Sequence, residues 1–231
     1  MNLRNQVIFL ISMFCFVLNA ESQSMQSDSM TGIKPLRFSY HQLYLPSSLI
    51  VAGIIINGKS PNSIDNKVVR YRNNHFPNSH TQWDNYLQFS PLVLTYGFEA
   101  IGMKPKTDIF NRSIILLKGE LLMLATVTIL KDASHTLRPD SSAYTSFPSG
   151  HTAQAFAAAA LLSQEYGYRY KWVPYLSYGL ASTVGVLRMT NNKHYISDVL
   201  VAAGIGILST KVAYWTHQYK WKKNKSLHPA F

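Results

Sequence analysis

The chain is short of cysteine and of acidic residues, and both shortages limit what it can be. With one cysteine, Cys15, among 231 residues, an intramolecular disulfide and any metal site built from cysteines are excluded. Asp and Glu number 11 against 22 Lys and Arg, which gives a formal charge of +11, yet charged residues make up only 14% of the chain. The positive balance therefore comes from scarce acids, and it does not indicate the clustered basic face of a nucleic-acid-binding protein.

The first 20 residues have the pattern of a signal peptide or of an uncleaved anchor helix. Arg4 supplies a positive start, residues 7–18 are apolar, and Leu-Asn-Ala at 18–20 offers a cleavage site. After it we expect a polar spacer at 21–40, a helical domain at 41–217 and a basic tail at 218–231. Either interpretation of the first segment predicts a protein that is exported or bound to a membrane.

Long hydrophobic runs are also few, although six shorter apolar stretches alternate with polar breaks from residue 43 onward. Several are short for a spanning helix, which requires about 20 apolar residues, and the mean hydropathy of −0.03 is low for a protein that crosses a bilayer many times. We predict an all-α fold, a six-helix transmembrane bundle. A soluble helical bundle is the alternative, because short apolar runs also form buried core helices. The stretches are 43–57, 86–103, 113–130, 152–166, 172–187 and 196–215.

Three polar segments between these stretches carry side chains suited to chemistry. The first runs from Lys131 to Arg138, the second is Pro-Ser-Gly-His at 148–151, and the third runs from Arg188 through His194 to Asp198. In an up-and-down bundle, the connections between helices 3 and 4 and between helices 5 and 6 emerge on the same side. We therefore expect the three segments to meet at one site.

The cations of these segments predict a phosphate-binding site. Lys131, Arg138 and Arg188 would repel one another unless a multivalent anion lay between them, and guanidinium groups match the oxygens of phosphate. Ser149 and Gly150 begin a predicted helix, whose first N–H groups bind anions readily. Each group taken alone also fits a simpler role, such as a charge that flanks a helix end.

The histidines predict what such a site does with a phosphate. His194 and Asp198 are four residues apart, so on a helix the carboxylate can orient the ring as a nucleophile. His151 is a second imidazole that can protonate the leaving oxygen. Together they predict phosphoryl transfer through a phosphohistidine. A metal site is less well supplied, because His135, His151 and His194 lack the close spacing of metal ligands.

The three segments resemble the signature of the type 2 phosphatidic acid phosphatase superfamily. Its pattern is Lys-x6-Arg-Pro, then Pro-Ser-Gly-His, then Ser-Arg-x5-His-x3-Asp, and this chain departs from it only where Leu187 replaces the serine before Arg188. The resemblance implies that His194 attacks phosphorus, Asp198 supports it and His151 is the general acid, with no metal or other cofactor. It also implies that phosphate is bound by Lys131, Arg138, Ser149, Gly150 and Arg188.

The distribution of basic residues predicts the orientation of the bundle. They are more numerous on the side away from the site, so the positive-inside rule predicts a cytoplasmic tail and an active site on the periplasmic face of a bacterial inner membrane. Cleavage after Ala20 followed by six spans would place the tail outside instead. An uncleaved first helix, or a stretch 43–57 that does not span, would remove this conflict.

The substrate is expected to be a lipid phosphate. By resemblance lipid A is slightly favoured, with undecaprenyl pyrophosphate next and phosphatidylglycerol phosphate and phosphatidic acid after them. The alternatives are a soluble periplasmic acid phosphatase, a non-catalytic membrane protein that retains the motif and, more remotely, a vanadate-dependent haloperoxidase. The aromatic and basic segment 67–83 either covers the lipid headgroup or is a surface loop.

Overall fold

The computed structural model of the protein describes residues 38–58 and 60–218, and this part of the chain is helical, without a strand. Its helices are α1 (His41–Ile56), α2 (Ile64–His75), α3 (Trp83–Leu87), α4 (Ser90–Ala100), α5 (Ile109–Ser134), α6 (Gly150–Tyr166), α7 (Val173–Thr190) and α8 (Ile196–Trp215). The prediction of an all-α fold is confirmed. The predicted signal or anchor at 1–20, the spacer up to residue 37 and the tail beyond residue 218 lie outside the described residues.

Five of the six predicted apolar stretches correspond to one helix each, and the other is broken. The stretch 86–103 divides between α3 and α4, because Pro91 in the first turn of α4 starts a new helix. Helix α2 was not predicted, since residues 64–75 are mostly polar. It begins at an N-cap, where the Ser63 side chain accepts a hydrogen bond from the Asn66 backbone, and Asp65 lies in its first turn.

Helix α8 forms the centre of the bundle and is buried along most of its length. Two of its glycines allow neighbouring backbones to come close. A Cβ on Gly206 would lie 2.3 Å from the carbonyl oxygen of Ala153 in α6, and one on Gly204 would lie 2.5 Å from that of Pro46 in α1. Small residues at these crossings let α6 and α1 pack directly against α8.

Two of the described helices, α5 and α8, are long and apolar enough to cross a membrane. They differ in surroundings. In the most apolar 18-residue part of each helix, 78% is buried in the bundle for α8 but only 22% for α5. Leu117, Leu121 and Leu124 of α5 are exposed, as are Ile54 and Ile55 of α1. The other described helices are shorter or less apolar, so the expectation of six spanning helices is not confirmed.

A buried polar cluster joins α5, α6 and α8 at one end of the bundle. Near the end of α6, the Glu165 carboxylate accepts hydrogen bonds from the backbone N–H of Thr107 (2.8 Å), from its hydroxyl (2.9 Å) and from the hydroxyl of Tyr214. The buried Arg112 donates to the Thr107 carbonyl (3.1 Å) and pairs with Glu99. With a rise of about 1.5 Å per residue, this cluster lies about 22 Å from the start of α6.

At the opposite end, the loop after α5 packs against the loop before α8. The backbone N–H of Asp140 donates to the carbonyl of Asn192 (3.1 Å), and that of Ser149 donates to the carbonyl of Asp198 (3.3 Å). The structure therefore brings together the two connections that carry the three polar segments.

Candidate active site

The predicted site residues lie at helix ends and in the loops of this end of the bundle. Lys131 is in the last turn of α5, and Arg138 is in the loop that follows. Ser149 is the N-cap of α6, whose first residues are Gly150 and His151. The remaining three are Arg188 in the last turn of α7, His194 in the loop before α8, and Asp198 in the first turn of α8.

A cavity of about 560 Å³ opens between these segments, and Arg138, His151 and Arg188 line it. The Nε atoms of both arginines are buried and have no hydrogen-bond partner among the described residues. Because unpaired buried donors are costly, an anion with several acceptor oxygens is the ligand that this wall suits. The rest of the wall is polar as well, and consists of His80, Thr81, Gln82, Asp84, Asn85, Asn191 and Lys193.

Hydrogen bonds fix the ring of His194, which is buried. Its Nδ1 lies 2.7 Å from the backbone carbonyl oxygen of Ser146, so Nδ1–H donates and Nε2 keeps the free lone pair. Asp198 Oδ2 is 3.6 Å from the same Nδ1, which is too long for a hydrogen bond. That oxygen accepts instead from the Ser146 hydroxyl (2.5 Å) and from the backbone N–H of Tyr195 (2.9 Å). Asp198 thus acts on the ring through its charge and through Ser146, and not by accepting the ring proton directly.

The surroundings of both histidines favour the uncharged imidazole. Burial, together with the charges of Arg188 and Lys131, lowers the pKa of His194, and the nearby Asp198 opposes that change. Burial and the Arg188 charge lower the pKa of His151 to about 4. Both rings are therefore neutral at pH 7, and the negative charge of an entering phosphate would raise both pKa values.

Lys131, Ser149 and Gly150 are not among the residues that line the cavity, and neither are His194 and Asp198. The Lys131 ammonium donates to the carbonyl of Thr145 (2.6 Å) and lies within electrostatic range of the two arginines. The Ser149 oxygen caps α6 and lies 2.9 Å from the hydroxyl of Thr152. A Cβ on Gly150 would meet no atom within 4 Å, so there is open space beside the first residue of α6.

Two consecutive residues of α3, which sequence reasoning missed, contact the site. Asp84 Oδ2 pairs with Arg188 Nη1 at 2.5 Å, and both side chains are buried. Asn85 Oδ1 lies 2.8 Å from His151 Nε2. Asp84 is 104 positions from Arg188, and Asn85 is 66 positions from His151, so sequence spacing predicts neither contact. One feature of the sequence could have drawn attention to Asp84. Acidic residues are scarce in this chain, and Asp84 is the one carboxylate between Asp65 and Glu99.

The segment 67–83 docks on the site through buried polar contacts. Arg72 Nε donates to the carbonyl of Thr190 at the end of α7 (2.8 Å). Asn191 exchanges two hydrogen bonds with the backbone of Thr81, each 2.9 Å long. These contacts hold the segment, and with it α3, against the loop that carries His194.

No group of three or more His, Cys, Asp or Glu side chains in the described ranges is arranged to hold a metal ion. His135, considered above as a possible ligand, is instead the C-cap of α5 and has a left-handed backbone conformation with φ of 42°.

Comparison with known proteins finds relatives over the region that carries the site residues. A model of the PAP2 superfamily matches residues 113–222, which include all three motif segments. The lipid A 1-phosphatase of Porphyromonas gingivalis is 31% identical over 230 residues, an alignment that covers 93% of this chain and 51% of that protein. The chain thus spans about half the length of this curated relative.

One solved structure supports the fold, and a second is more distantly similar. The crystal structure of LpxE from Aquifex aeolicus has a TM-score of 0.50 at 22% identity and covers 65% of this chain and 94% of its own. A phosphatidylglycerolphosphate phosphatase of Bacillus subtilis, described as a transmembrane PAP2 type, has a TM-score of 0.41 at 18% identity and covers 88% and 93%.

The PAP2 match covers residues 113–222 and so applies to the part of the chain that carries the three motif segments.

Proposed function

We propose that this protein is a membrane phosphatase that hydrolyses a lipid phosphate through a phosphohistidine, without a metal ion. The observation that carries the proposal is the cavity wall, in which His151 faces two arginines whose buried Nε atoms have no partner among the described residues. Such a wall suits a phosphate, and His194 is near enough that a positive charge on its ring would lower the pKa of His151.

His194 is the proposed nucleophile. Because its Nδ1–H donates to the Ser146 carbonyl, Nε2 is available to attack phosphorus. Its lowered pKa keeps that lone pair unprotonated at neutral pH. Asp198 acts in the opposite direction on the pKa of His194. Its negative charge stabilises the positive charge that the ring gains as the N–P bond forms.

The other motif residues serve the phosphate and the leaving group. Arg138 and Arg188 bind the phosphoryl oxygens, Lys131 adds positive charge, and Ser149 and Gly150 present the start of α6 to the developing negative charge. His151 protonates the leaving oxygen as the P–O bond breaks. In the second step it takes a proton from the water that hydrolyses the phosphohistidine.

A lipid is the proposed carrier of the phosphate. The exposed leucines of α5 and isoleucines of α1 support contact with a bilayer. The relative named lipid A 1-phosphatase supports lipid A as the first substrate to test, and undecaprenyl pyrophosphate comes next. We further propose that the protein lies in a bacterial inner membrane with its active site on the periplasmic side.

The test is phosphate release by purified protein in detergent, with EDTA present throughout. The panel holds lipid A, undecaprenyl pyrophosphate, phosphatidic acid, phosphatidylglycerol phosphate and p-nitrophenyl phosphate. We expect His194→Ala to abolish turnover, because no other imidazole replaces the nucleophile. His135→Asn is the matched control, since asparagine tolerates the left-handed conformation and residue 135 lies outside the proposed chemistry.

The outcomes separate the alternatives. Preference for one lipid, lost in His194→Ala and kept in His135→Asn, supports the proposal and identifies the substrate. Preference for p-nitrophenyl phosphate, with the protein in the soluble fraction, would favour a soluble acid phosphatase. Strong inhibition by EDTA would contradict the metal-independent mechanism, and no release from any substrate would contradict the proposed activity.

A further inference from the structure

The contact between His151 and Asn85 has a direct consequence for proton transfer. An amide oxygen only accepts hydrogen bonds, so the His151 Nε2 that lies 2.8 Å from Asn85 Oδ1 carries a proton. The nitrogen that gains and loses a proton during turnover is then Nδ1. The sequence motif specifies an imidazole at this position but not which of its two nitrogens acts.

Asn85 is well placed to fix the ring because its own backbone is fixed. Its neighbour Asp84 is buried and paired with Arg188, and its own carbonyl accepts a hydrogen bond from the side chain of Gln88 (2.9 Å). Two hydrogen bonds between Thr81 and Asn191 hold the chain just before α3. The Asn85 side chain therefore projects from a short helix that these contacts hold in place.

We propose that Asn85 is a positioning residue for the general acid: its side-chain carbonyl holds Nε2–H of His151, so that Nδ1–H is delivered to the leaving oxygen. The inference rests on the proposed function. The ring is neutral in the free protein, so Nδ1 takes up a proton from solvent when the entering phosphate raises the pKa of His151. As His194 Nε2 then bonds to phosphorus, the P–O bond breaks and the leaving oxygen takes that proton from His151 Nδ1. In the second step water attacks phosphorus, Nδ1 accepts the water proton, and His194 is released with inorganic phosphate.

The charges around His151 explain why a neutral acceptor suits this place. Four charged or titratable groups act on the ring. They are Arg188 from α7, Arg138 from the loop between α5 and α6, Asp84 from α3 and His194 from the loop before α8. The net effect of burial and these charges is a pKa of about 4, which disfavours the protonated acid. An acceptor on Nε2–H stabilises the protonated ring without adding a charge that would repel the phosphate.

The experiment compares Asn85→Ala and Asn85→Asp with the wild-type chain, using p-nitrophenyl phosphate and an alkyl phosphate with a poor leaving group. We expect Asn85→Ala to lower kcat for the alkyl phosphate by about 10-fold or more, since acid catalysis contributes 10²–10⁴-fold. For p-nitrophenyl phosphate, which needs little protonation, the loss should be below about 3-fold, and KM should stay the same for both. Asn85→Asp places a negative charge beside the ring, so the alkaline limb of its pH profile should move upward.

Asn78→Asp is the matched control, because Asn78 is an exposed asparagine between α2 and α3 and the change in charge is the same. It should keep the wild-type profile. Asn85 is itself exposed, so its variants are expected to fold. If Asn85→Ala has the leaving-group dependence of the wild type, the inference is wrong. A faster Asn85→Ala would also overturn it, because Asn85 would then be blocking Nε2 from the substrate.

A second measurement does not depend on turnover. Histidine-selective ¹⁵N NMR should show the Nε2–H tautomer of His151 in the wild type and a loss of that preference in Asn85→Ala. A wild-type protein that releases no phosphate contradicts the proposed function. The NMR result still decides the role of Asn85 in that case, because an Nδ1–H tautomer in the wild type would overturn it.

Discussion

At the scale of single residues, the pairing of Asp84 with Arg188 combines folding and ligand binding in one contact. Both side chains are buried, and Asp84 occupies Nη1 of the guanidinium while Nε remains without a partner among the described residues. The carboxylate therefore fixes the plane of the fork and leaves part of it to a second anion. Removing it would leave a buried positive charge beside the cavity.

We expect Asp84→Ala to lower the free energy of unfolding by about 3–5 kcal/mol, as is usual when one partner of a buried ion pair is lost. Orthovanadate, a phosphate analogue, should stabilise Asp84→Ala more than the wild type, because the more positive cavity binds the anion more tightly. An anion present at about 100 times its dissociation constant restores about 2.7 kcal/mol. The measurement is thermal unfolding in detergent with and without vanadate.

The matched control is Asp132→Ala, which removes an exposed carboxylate from the last turn of α5. It should unfold like the wild type with or without vanadate. Equal stabilisation of Asp84→Ala and the wild type by vanadate would contradict the view that Arg188 binds the anion.

Sequence reasoning reached the residues whose roles depend on their own chemistry and spacing, and missed those whose roles depend on the fold. His194 lies in the loop just before α8 and not on the helix, yet the spacing of four residues still places its Nδ1 3.6 Å from Asp198 Oδ2. Ser146 contributes a backbone carbonyl, which every residue type carries, so no side-chain pattern marks it. Asp84 and Asn85 reach the site only because α2 and the following loop dock on α7.

At the scale of elements, the docking of α2 determines where α8 begins. The buried carboxylate of Asp65 accepts hydrogen bonds from the backbone N–H of Ser197 (3.0 Å) and from its hydroxyl (2.8 Å). Ser197 immediately precedes Asp198, so this contact satisfies a free N–H group at the start of α8 and fixes the backbone that carries the site.

We expect Asp65→Ala to cost about 1–3 kcal/mol of stability, because it leaves buried donors on Ser197 without an acceptor. Activity should fall as well, since the first turn of α8 loses its support. Asp65→Asn keeps an acceptor oxygen and should lose less of both. Chemical unfolding and phosphate release, measured on the same preparations, check this, and an Asp65→Ala variant as stable as the wild type would show that α2 does not hold α8.

The helices that the sequence predicted well are those with an apolar face of their own. Helix α8 is apolar along most of its length, and its bounds coincide with the predicted stretch 196–215. Helix α2 is polar, and part of what holds it is a contact between Arg72 and the carbonyl of Thr190, 118 positions away. Contacts of that range leave no local periodicity, which is why the segment 67–83 was left open between a cover and a surface loop.

At the scale of the whole molecule, polar clusters lie at both ends of an apolar bundle. The cations and histidines of the proposed site occupy one end, and the cluster around Glu165 occupies the other, about 22 Å away along α6. Exposed apolar side chains lie between them on α5, where only 22% of the most apolar 18-residue part is buried. This arrangement suits a protein that lies in a bilayer with its site at one surface.

The orientation that we propose can be tested with cysteines, because the chain has only Cys15. In a Cys15→Ser background, Asn78→Cys marks the end that carries the site, and Lys171→Cys marks the opposite end; both positions are exposed. If the site faces the periplasm, a membrane-impermeant maleimide should label Asn78→Cys in intact Gram-negative cells and Lys171→Cys only after lysis, since the inner membrane excludes the reagent. The reverse pattern would place the site in the cytoplasm. Labelling of both positions in intact cells would mean that the two ends do not lie on opposite sides of a membrane.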